Sequence, residues 1–329
     1  MQVNTREDTI SNIASYYGVE PQLLRKHYKH EVSGFKEWVQ LPHAEDYCIY
    51  PENITESISI DEVSLSKGEL YTILTSKKPN LKNKKSLIAV INGTEAKTIQ
   101  LVLEKIAISH RTKVKEVTMD MARNMGLAVK NCFPDCTMVI DRFHVVKLVL
   151  DAMQHLRVKL RWDAIEQENE SIAKAKKEGF KYQPTLLLNG DTLKELLARS
   201  RYLLYKLEVD WTLNQKIRAE ILFEKYPLLK ASYKLTLEFR AIYKLLSKED
   251  ARVAFNNWKQ KVIESGIKEF NTCVNSLEYH IDNILNFYNN RVTNANAESF
   301  NSKIKNFRAN LRGVIDVKFF LFRLEKLFA

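Results

Sequence analysis

The stretch EVTMDMARNMGLAVKNCFPDCTMVIDRFHVVKL, residues 116–148, twice runs a short β-type apolar segment straight into an aspartate, first at Asp120 and again at Asp141. After each aspartate the residue pattern turns helical. A strand that delivers a carboxylate at its C-terminal end and then hands over to a helix sets that carboxylate on the rim of a sheet, where open α/β sheets bind ligands.

The flanking sequence supplies the rest of such a sheet. SISIDEVS (57–64) alternates, with Ser57, Ser59 and Asp61 on one side and Ile58 and Ile60 on the other, and ELYTILTS (69–76) follows after the turn residues Ser66, Lys67 and Gly68. SLIAVING (86–93) is a third strand. TEAKTIQLVLEKIAISH then carries Ile99, Val102, Leu103 and Ile106 at helical spacing, before VKEVTMD and TMVID add a fourth and fifth strand around the helix MARNMGLAVKNCF. From about 143 to 290 the strand signal disappears. Apolar residues there, including Leu196, Leu203, Ile217, Ile221, Trp258 and Ile284, recur three and four apart as a helical bundle requires, and Ser247 is placed to cap a helix.

Upstream, residues 10–30 combine Ile13, Ala14, Gly18, Val19, Leu23 and Leu24 at helix-turn-helix spacing, which puts Arg25 and Lys26 on the exposed face of the second helix. An ordinary helical hairpin fits the same pattern. The expected organisation is a helix-turn-helix-like DNA-binding segment at 1–30, a linker at 31–56, an α/β core at 57–164, an all-helical insertion at 165–290 and a return to the core at 291–329.

Three antiparallel strands, a helix, a strand, a helix and another strand is the element order of the ribonuclease H fold, here a mixed five-stranded sheet. In that order Asp61 and Asp120 fall on adjacent parallel strands, about 4.8 Å apart in the pairing direction. Carboxylates that close repel unless a cation lies between them, and oxygen ligands favour Mg²⁺ or Mn²⁺. Asp141 lies one strand further out, and Glu62 points to the opposite face by alternation. A third acid comes from Glu298, in a helix that buries Phe300, Ile304, Phe307 and Leu311 and lines up Glu298, Asn301, Lys305, Arg308 and Arg312 elsewhere.

Charge points to a polyanionic partner. The chain has 51 Lys plus Arg against 40 Asp plus Glu, a net charge of +11, and nucleic acid is the leading partner class. The connector KKPNLKNKK holds five lysines and no acid, and residues 291–329 hold eight basic residues against three acids. The expected phosphate contacts are therefore Lys77, Lys78, Lys82, Lys84 and Lys85 in the connector, and Lys303, Lys305, Arg308 and Arg312 in the late helix. Cys48, Cys132, Cys136 and Cys273 lack a zinc-site spacing and read as reduced thiols. No transmembrane span or signal peptide is visible, so the expected location is the bacterial cytoplasm, associated with the nucleoid.

The run VTMDMARNMGLAVKNCFPDCTMVIDRFHVVKL, with IDEVSLSKGELYTILT before it and NANAESFNSKIKNFRANLRG after it, resembles insertion-sequence transposases of the DDE superfamily, closest to the ISL3-type group. The resemblance covers about residues 55–160 and 290–328. It implies an RNase H-like core interrupted by a helical insertion, with Asp61, Asp120 and Glu298 matching the acidic triad. Asp141 with His144 matches an accessory Asp-x-x-His element. It further implies two Mg²⁺ or Mn²⁺ ions held by the triad, metal-dependent DNA strand cleavage and strand transfer, transposon-end and target DNA as partners, and a homodimer or larger assembly on DNA. The cysteine-rich zinc module common in the family has no counterpart in this sequence, which leaves three readings: the short helix-turn-helix replaces it, a separately encoded N-terminal protein does so, or the chain is a truncated copy. A structure-selective nuclease and an inactive DNA-binding derivative are the competing readings.

Overall fold

The computed structural model describes residues 2–4, 7–66, 68–77, 85–291, 295–311 and 314–329; for residues 2, 65, 66, 295–298 and 301 it describes the backbone alone. The chain divides into two compact units, residues 1–142 with 290–329, and residues 143–289.

The first unit is built on a mixed sheet of β1 (Tyr47–Ile49), β2 (Ser57–Ser66), β3 (Glu69–Ser76), β4 (Leu87–Asn92), β5 (Glu116–Met119) and β6 (Thr137–Ile140), in the order β1-β4-β3-β2-β5-β6. β2, β3 and β4 form an antiparallel meander, whereas β5 pairs parallel with β2 and β6 parallel with β5. The sheet thus has six strands where five were expected. The extra one is β1, which pairs antiparallel with β4 from within the segment 31–56. That segment is not a free linker: Phe35, Trp38, Ala44, Cys48 and Tyr50 are buried in the core of this unit. Three residues are too short to announce a strand by alternation.

Alternation along the strands divides the apolar side chains between two layers. On the face of Ile58 and Ile60 lie α3 (Ala96–Leu103) and α5 (Arg123–Cys132), which pack on each other and against β4 and β5; α4 (Ile108–Arg111) leads into β5. On the other face Val63, Tyr71, Ile73 and Val90 join one apolar cluster with Phe300, Ile304 and Phe307 of α14 (Ala295–Asn310) and Phe319, Phe320 and Phe322 of α15 (Val317–Phe328). Val63 and Ile73 share a face with Asp61, since Asp61 pairs with Ile73. The helix that carries Glu298 therefore packs on the Asp61 face, and Arg308 fastens it by donating to the Ser64 carbonyl at 2.8 Å.

The N-terminal hairpin belongs to the same core. α1 (Ile10–Tyr16) and α2 (Pro21–His27) pack together through a turn in which Gly18 adopts φ +64°. Val19 and Leu23, expected to seat the second helix, are instead 40% and 62% exposed, and α2 buries no residue. Tyr28, fully buried just beyond it, and the Lys29–Asp316 ion pair at 2.6 Å hold the hairpin to the rest.

In the second unit every described element is helical. It comprises most of α6 (Arg142–Lys177), followed by α7 (Leu193–Arg199), α8 (Leu213–Lys225), α9 (Pro227–Ile242), α10 (Lys248–Ser265), α11 (Asn271–Tyr279), α12 (Ile281–Leu285) and most of α13 (Phe287–Asn290). The expected boundary at 164/165 falls inside α6, which runs unbroken from the end of β6. Leu196, Leu203, Ile221, Trp258 and Ile284 are buried, while Ile217 is 43% exposed and does not join the core. Ser247 caps α10 by accepting the Asp250 N–H at 3.0 Å. Among the described residues no helix is long and apolar enough to cross a membrane.

Candidate active site

β2 and β5 run parallel with Ser57 beside Glu116, Ile58 beside Val117 and Ser59 beside Thr118. The paired register ends there; carried on for two residues it leads Asp61 and Asp120 out to neighbouring positions, where strand spacing is about 4.8 Å in the pairing direction. Paired residues share a face, so both carboxylates rise from the face that also bears Ser59, Glu116 and Thr118. β6 extends the row. Thr118 pairs with Val139 and Met119 with Ile140, which brings Asp141 level with Asp120.

Main-chain donors steer the first two acids. Glu62 N–H donates to Asp61 Oδ1 at 2.8 Å, and Ala122 N–H donates to Asp120 Oδ1 at 2.8 Å, closing the turn into α5. Glu62, set aside by alternation, is electrostatically part of the group: burial first, then the charges of Asp120 and Asp61, push its carboxyl above the usual range. Alternation decides which way a side chain leaves the strand, whereas repulsion between carboxylates acts over several ångströms on either side of it. Asp141 is buried at the end of β6. His144 is half-buried in the first turn of α6 and belongs to the helical unit.

Glu298 lies in the first turn of α14, on the helix packed against the Asp61 face, but its side chain lies outside the described residues, as does that of Asn301. Among the described residues no three Asp, Glu, His or Cys side chains come together as a metal-ligand set. The cysteines among them are free, and burial pushes the Cys48 and Cys273 thiols up to about 12 and those of Cys132 and Cys136 up to about 11.

The expected DNA contacts divide. Lys85, Lys305, Arg25 and Lys26 are exposed. Lys303 is exposed and 3.7 Å from Glu7, and Arg308 is engaged with Ser64. Lys78, Lys82, Lys84 and Arg312 lie outside the described residues. Lys77 departs from expectation altogether: it is 3% exposed and its Nζ sits 3.0 Å from Glu116 Oε1. Read as the start of a basic loop, it is the continuation of β3, on the same parity as Thr75 and Ile73, and therefore points into the sheet face. Glu116 could have been found the same way, since Glu116, Thr118 and Asp120 alternate onto one side of VKEVTMD.

Residues 58–324 match the model of the ISL3-type DDE transposases, described as "Transposase". The chain belongs to this transposase family. It is also 22% identical over 274 residues to the transposase for insertion sequence element IS1001 of Bordetella parapertussis, an alignment that takes in 83% of this chain and 61% of that relative. The chain thus spans about three-fifths of the relative's length. The match begins at the second residue of β2, so the sheet strands from β2 onward, the helical unit and most of α15 fall within the transposase family's span, while the N-terminal hairpin and β1 lie before it.

Proposed function

We propose that the protein is a DNA transposase that cleaves DNA and joins a freed 3′ end to a second duplex at a site formed by Asp61, Asp120 and Glu298. The observation that supports this reading is the register: Ser59 pairs with Thr118 on adjacent parallel strands, two residues before Asp61 and Asp120 on the same face, and the Glu298 helix packs on that face. Strand cleavage breaks a P–O bond of the phosphodiester as water adds to phosphorus, leaving a 3′-hydroxyl. Joining then forms a P–O bond from that hydroxyl to a target phosphorus and breaks one in the target.

The residues fit a pair of Mg²⁺ or Mn²⁺ ions. The donors are all carboxylate oxygens, and Glu62, raised by burial first and then by the charges of Asp120 and Asp61, stands beside negative charge that a cation would offset. When bound, such ions activate the attacking oxygen and stabilise the leaving one. The protein's own contribution is placement: the Glu62 and Ala122 N–H groups fix the rotamers of Asp61 and Asp120, so that little reorganisation is left for the moment of reaction. Asp141 and His144 take an accessory role. The exposed Lys85, Lys303 and Lys305 supply phosphate contacts, Arg25 and Lys26 bring the hairpin to DNA, and the helical unit serves assembly of two ends on a dimer or larger complex.

The test is a strand-transfer assay with DNA bearing the element's own ends. Wild-type protein with Mg²⁺ is expected to give joined product. Nicked product without joining assigns a nuclease, and binding in EDTA with no cleavage in Mg²⁺ assigns a DNA-binding derivative.

A further inference from the structure

Beneath the aspartate row, on the same face, lies a buried ion pair that the reaction does not itself require. Lys77 continues β3, its N–H donating to the Ser57 carbonyl at 2.9 Å. Its ammonium is held by Glu116 Oε1 at 3.0 Å and also donates to Thr118 Oγ1, two residues before Asp120. The second Glu116 oxygen, Oε2, accepts from Asn290 Nδ2 at 3.0 Å. Asn290 ends α13, and the next residue, Arg291, takes a left-handed backbone with φ 51°, a conformation that a non-glycine residue holds only where its surroundings determine it. Four residues later α14 begins. Burial lowers the Lys77 ammonium, and the opposing charges are Glu116 and, after it, Asp141. Glu116 thus joins β3, β5 and the end of α13, and Lys77, donating to Thr118 beside Val139, lies on the face from which Asp141 projects two residues further on.

A buried ion pair is weak as a source of stability, because desolvation offsets most of its attraction and an apolar pair of similar volume often serves as well. Its position under the carboxylate row calls for a different account. We propose that Lys77 and Glu116 are positioning residues of this site: Lys77 is a fixed counter-charge that keeps Asp141 from joining Asp61 and Asp120 as a metal ligand, and Glu116, through Asn290, sets where the Glu298 helix enters. This rests on the metal-site reading above.

Mn²⁺ binding to the full chain, followed by the loss of the free-ion electron paramagnetic resonance signal, tests both halves alongside thermal melting. Asp120→Asn is the control and is expected to lose binding. If Asp120→Asn binds Mn²⁺ as wild type does, the metal-site reading itself fails. Asn290→Ala removes an exposed side chain and one hydrogen bond, so it is expected to melt as wild type yet bind Mn²⁺ about tenfold or more weakly, the usual cost of losing a group that orients a ligand. The double variant Lys77→Met with Glu116→Gln removes one charge of each sign. In that background Asp141→Asn is expected to change Mn²⁺ affinity several-fold, whereas in wild type it leaves affinity within about twofold, a coupling that a purely structural pin does not produce. Wild-type Mn²⁺ affinity in Asn290→Ala, with Asp120→Asn dead, overturns the Glu116 role, and equal Asp141→Asn effects in both backgrounds overturn the Lys77 role. If the double variant does not fold, Lys77→Arg, which keeps the counter-charge, takes its place. It is expected to keep the wild-type response to Asp141→Asn, and a several-fold change there overturns the Lys77 role.

Discussion

Two carboxylates, Asp191 of the helical unit and Glu62 of the sheet unit, are treated in opposite ways. In the helical unit Asp191 is 1% exposed, and although burial alone would raise its carboxyl, hydrogen bonds from Arg218 at 3.1 Å and from Arg199 overcome that and hold it below the usual range. In the sheet unit Glu62 has burial acting in the same direction, but its strongest charged neighbours are two more acids, and its carboxyl moves up. A fold that needs only stability matches a buried charge from within its own chain. Acids whose charged neighbours are other acids are the kind of place where a cation adds to the charge balance.

That contrast breaks most visibly through paired substitutions. Asp120→Asn is expected to reduce cleavage on the order of 10³-fold, the loss of several kcal/mol of transition-state stabilisation, while leaving thermal stability unchanged or slightly higher because a like charge near Glu62 is gone. Asp191→Asn is expected to do the reverse: it should destabilise the helical unit by about 2 kcal/mol, since two guanidinium hydrogen bonds to a charged acceptor are weakened, and leave Mn²⁺ binding intact. Calorimetric melting with parallel cleavage assays separates them. If Asp120→Asn melts well below wild type, the sheet-end acids are structural, and the contrast between the units collapses.

A smaller effect distinguishes the lysines. Lys305→Ala and Lys85→Ala should each lower the slope of log binding constant against log salt by about 0.9 if each neutralises a phosphate. Lys77→Met, buried in its ion pair, should leave that slope alone in any preparation that folds. Fluorescence anisotropy with end DNA across a salt series measures this.

The smallest effect is in pH. The folded-state pKa of Glu62 lies above 4.5, so the folded protein holds that proton more tightly than the unfolded chain does, and the associated stability is present at acid pH and declines as pH rises through the raised value. Glu62→Gln should flatten this decline and raise the melting temperature slightly near neutrality, and Mn²⁺ should diminish the difference between variant and wild type. An unchanged pH profile in Glu62→Gln removes Glu62 from the acidic group.

Much of this was legible in the chain itself, for reasons that are local. Strand alternation in SISIDEVS and the apolar run into Asp120 place two carboxylates on strands, and the spacing of elements between them orders those strands, because a parallel neighbour needs a crossover connection and the helix α3 provides one. The helical texture beyond 143 follows from apolar periodicity, which is why Leu196, Leu203 and Trp258 fell in the core. Where the same reasoning failed, the cause was non-local. β1 is three residues long and exists only because β4 offers it an edge. Leu23 has the spacing of a buried residue but, among the described residues, is left 62% exposed.

Lys77 shows the limit most sharply. By composition it opens a run of five lysines and reads as solvated; in the fold it is the last inward position of β3, and its ammonium is neutralised by Glu116, 39 positions away in sequence, whose other oxygen is held by Asn290, 174 positions away. Periodicity along one strand assigns a side chain to a face, and that much the sequence determined by itself for Asp61 and Asp120, whereas the lysine gains a face only because β3 continues through it. Which charges meet on that face depends on the register between strands and on where the chain returns from its helical excursion, and only the tertiary structure decided that, because burial and ion pairing depend on distances in space that sequence separation does not encode.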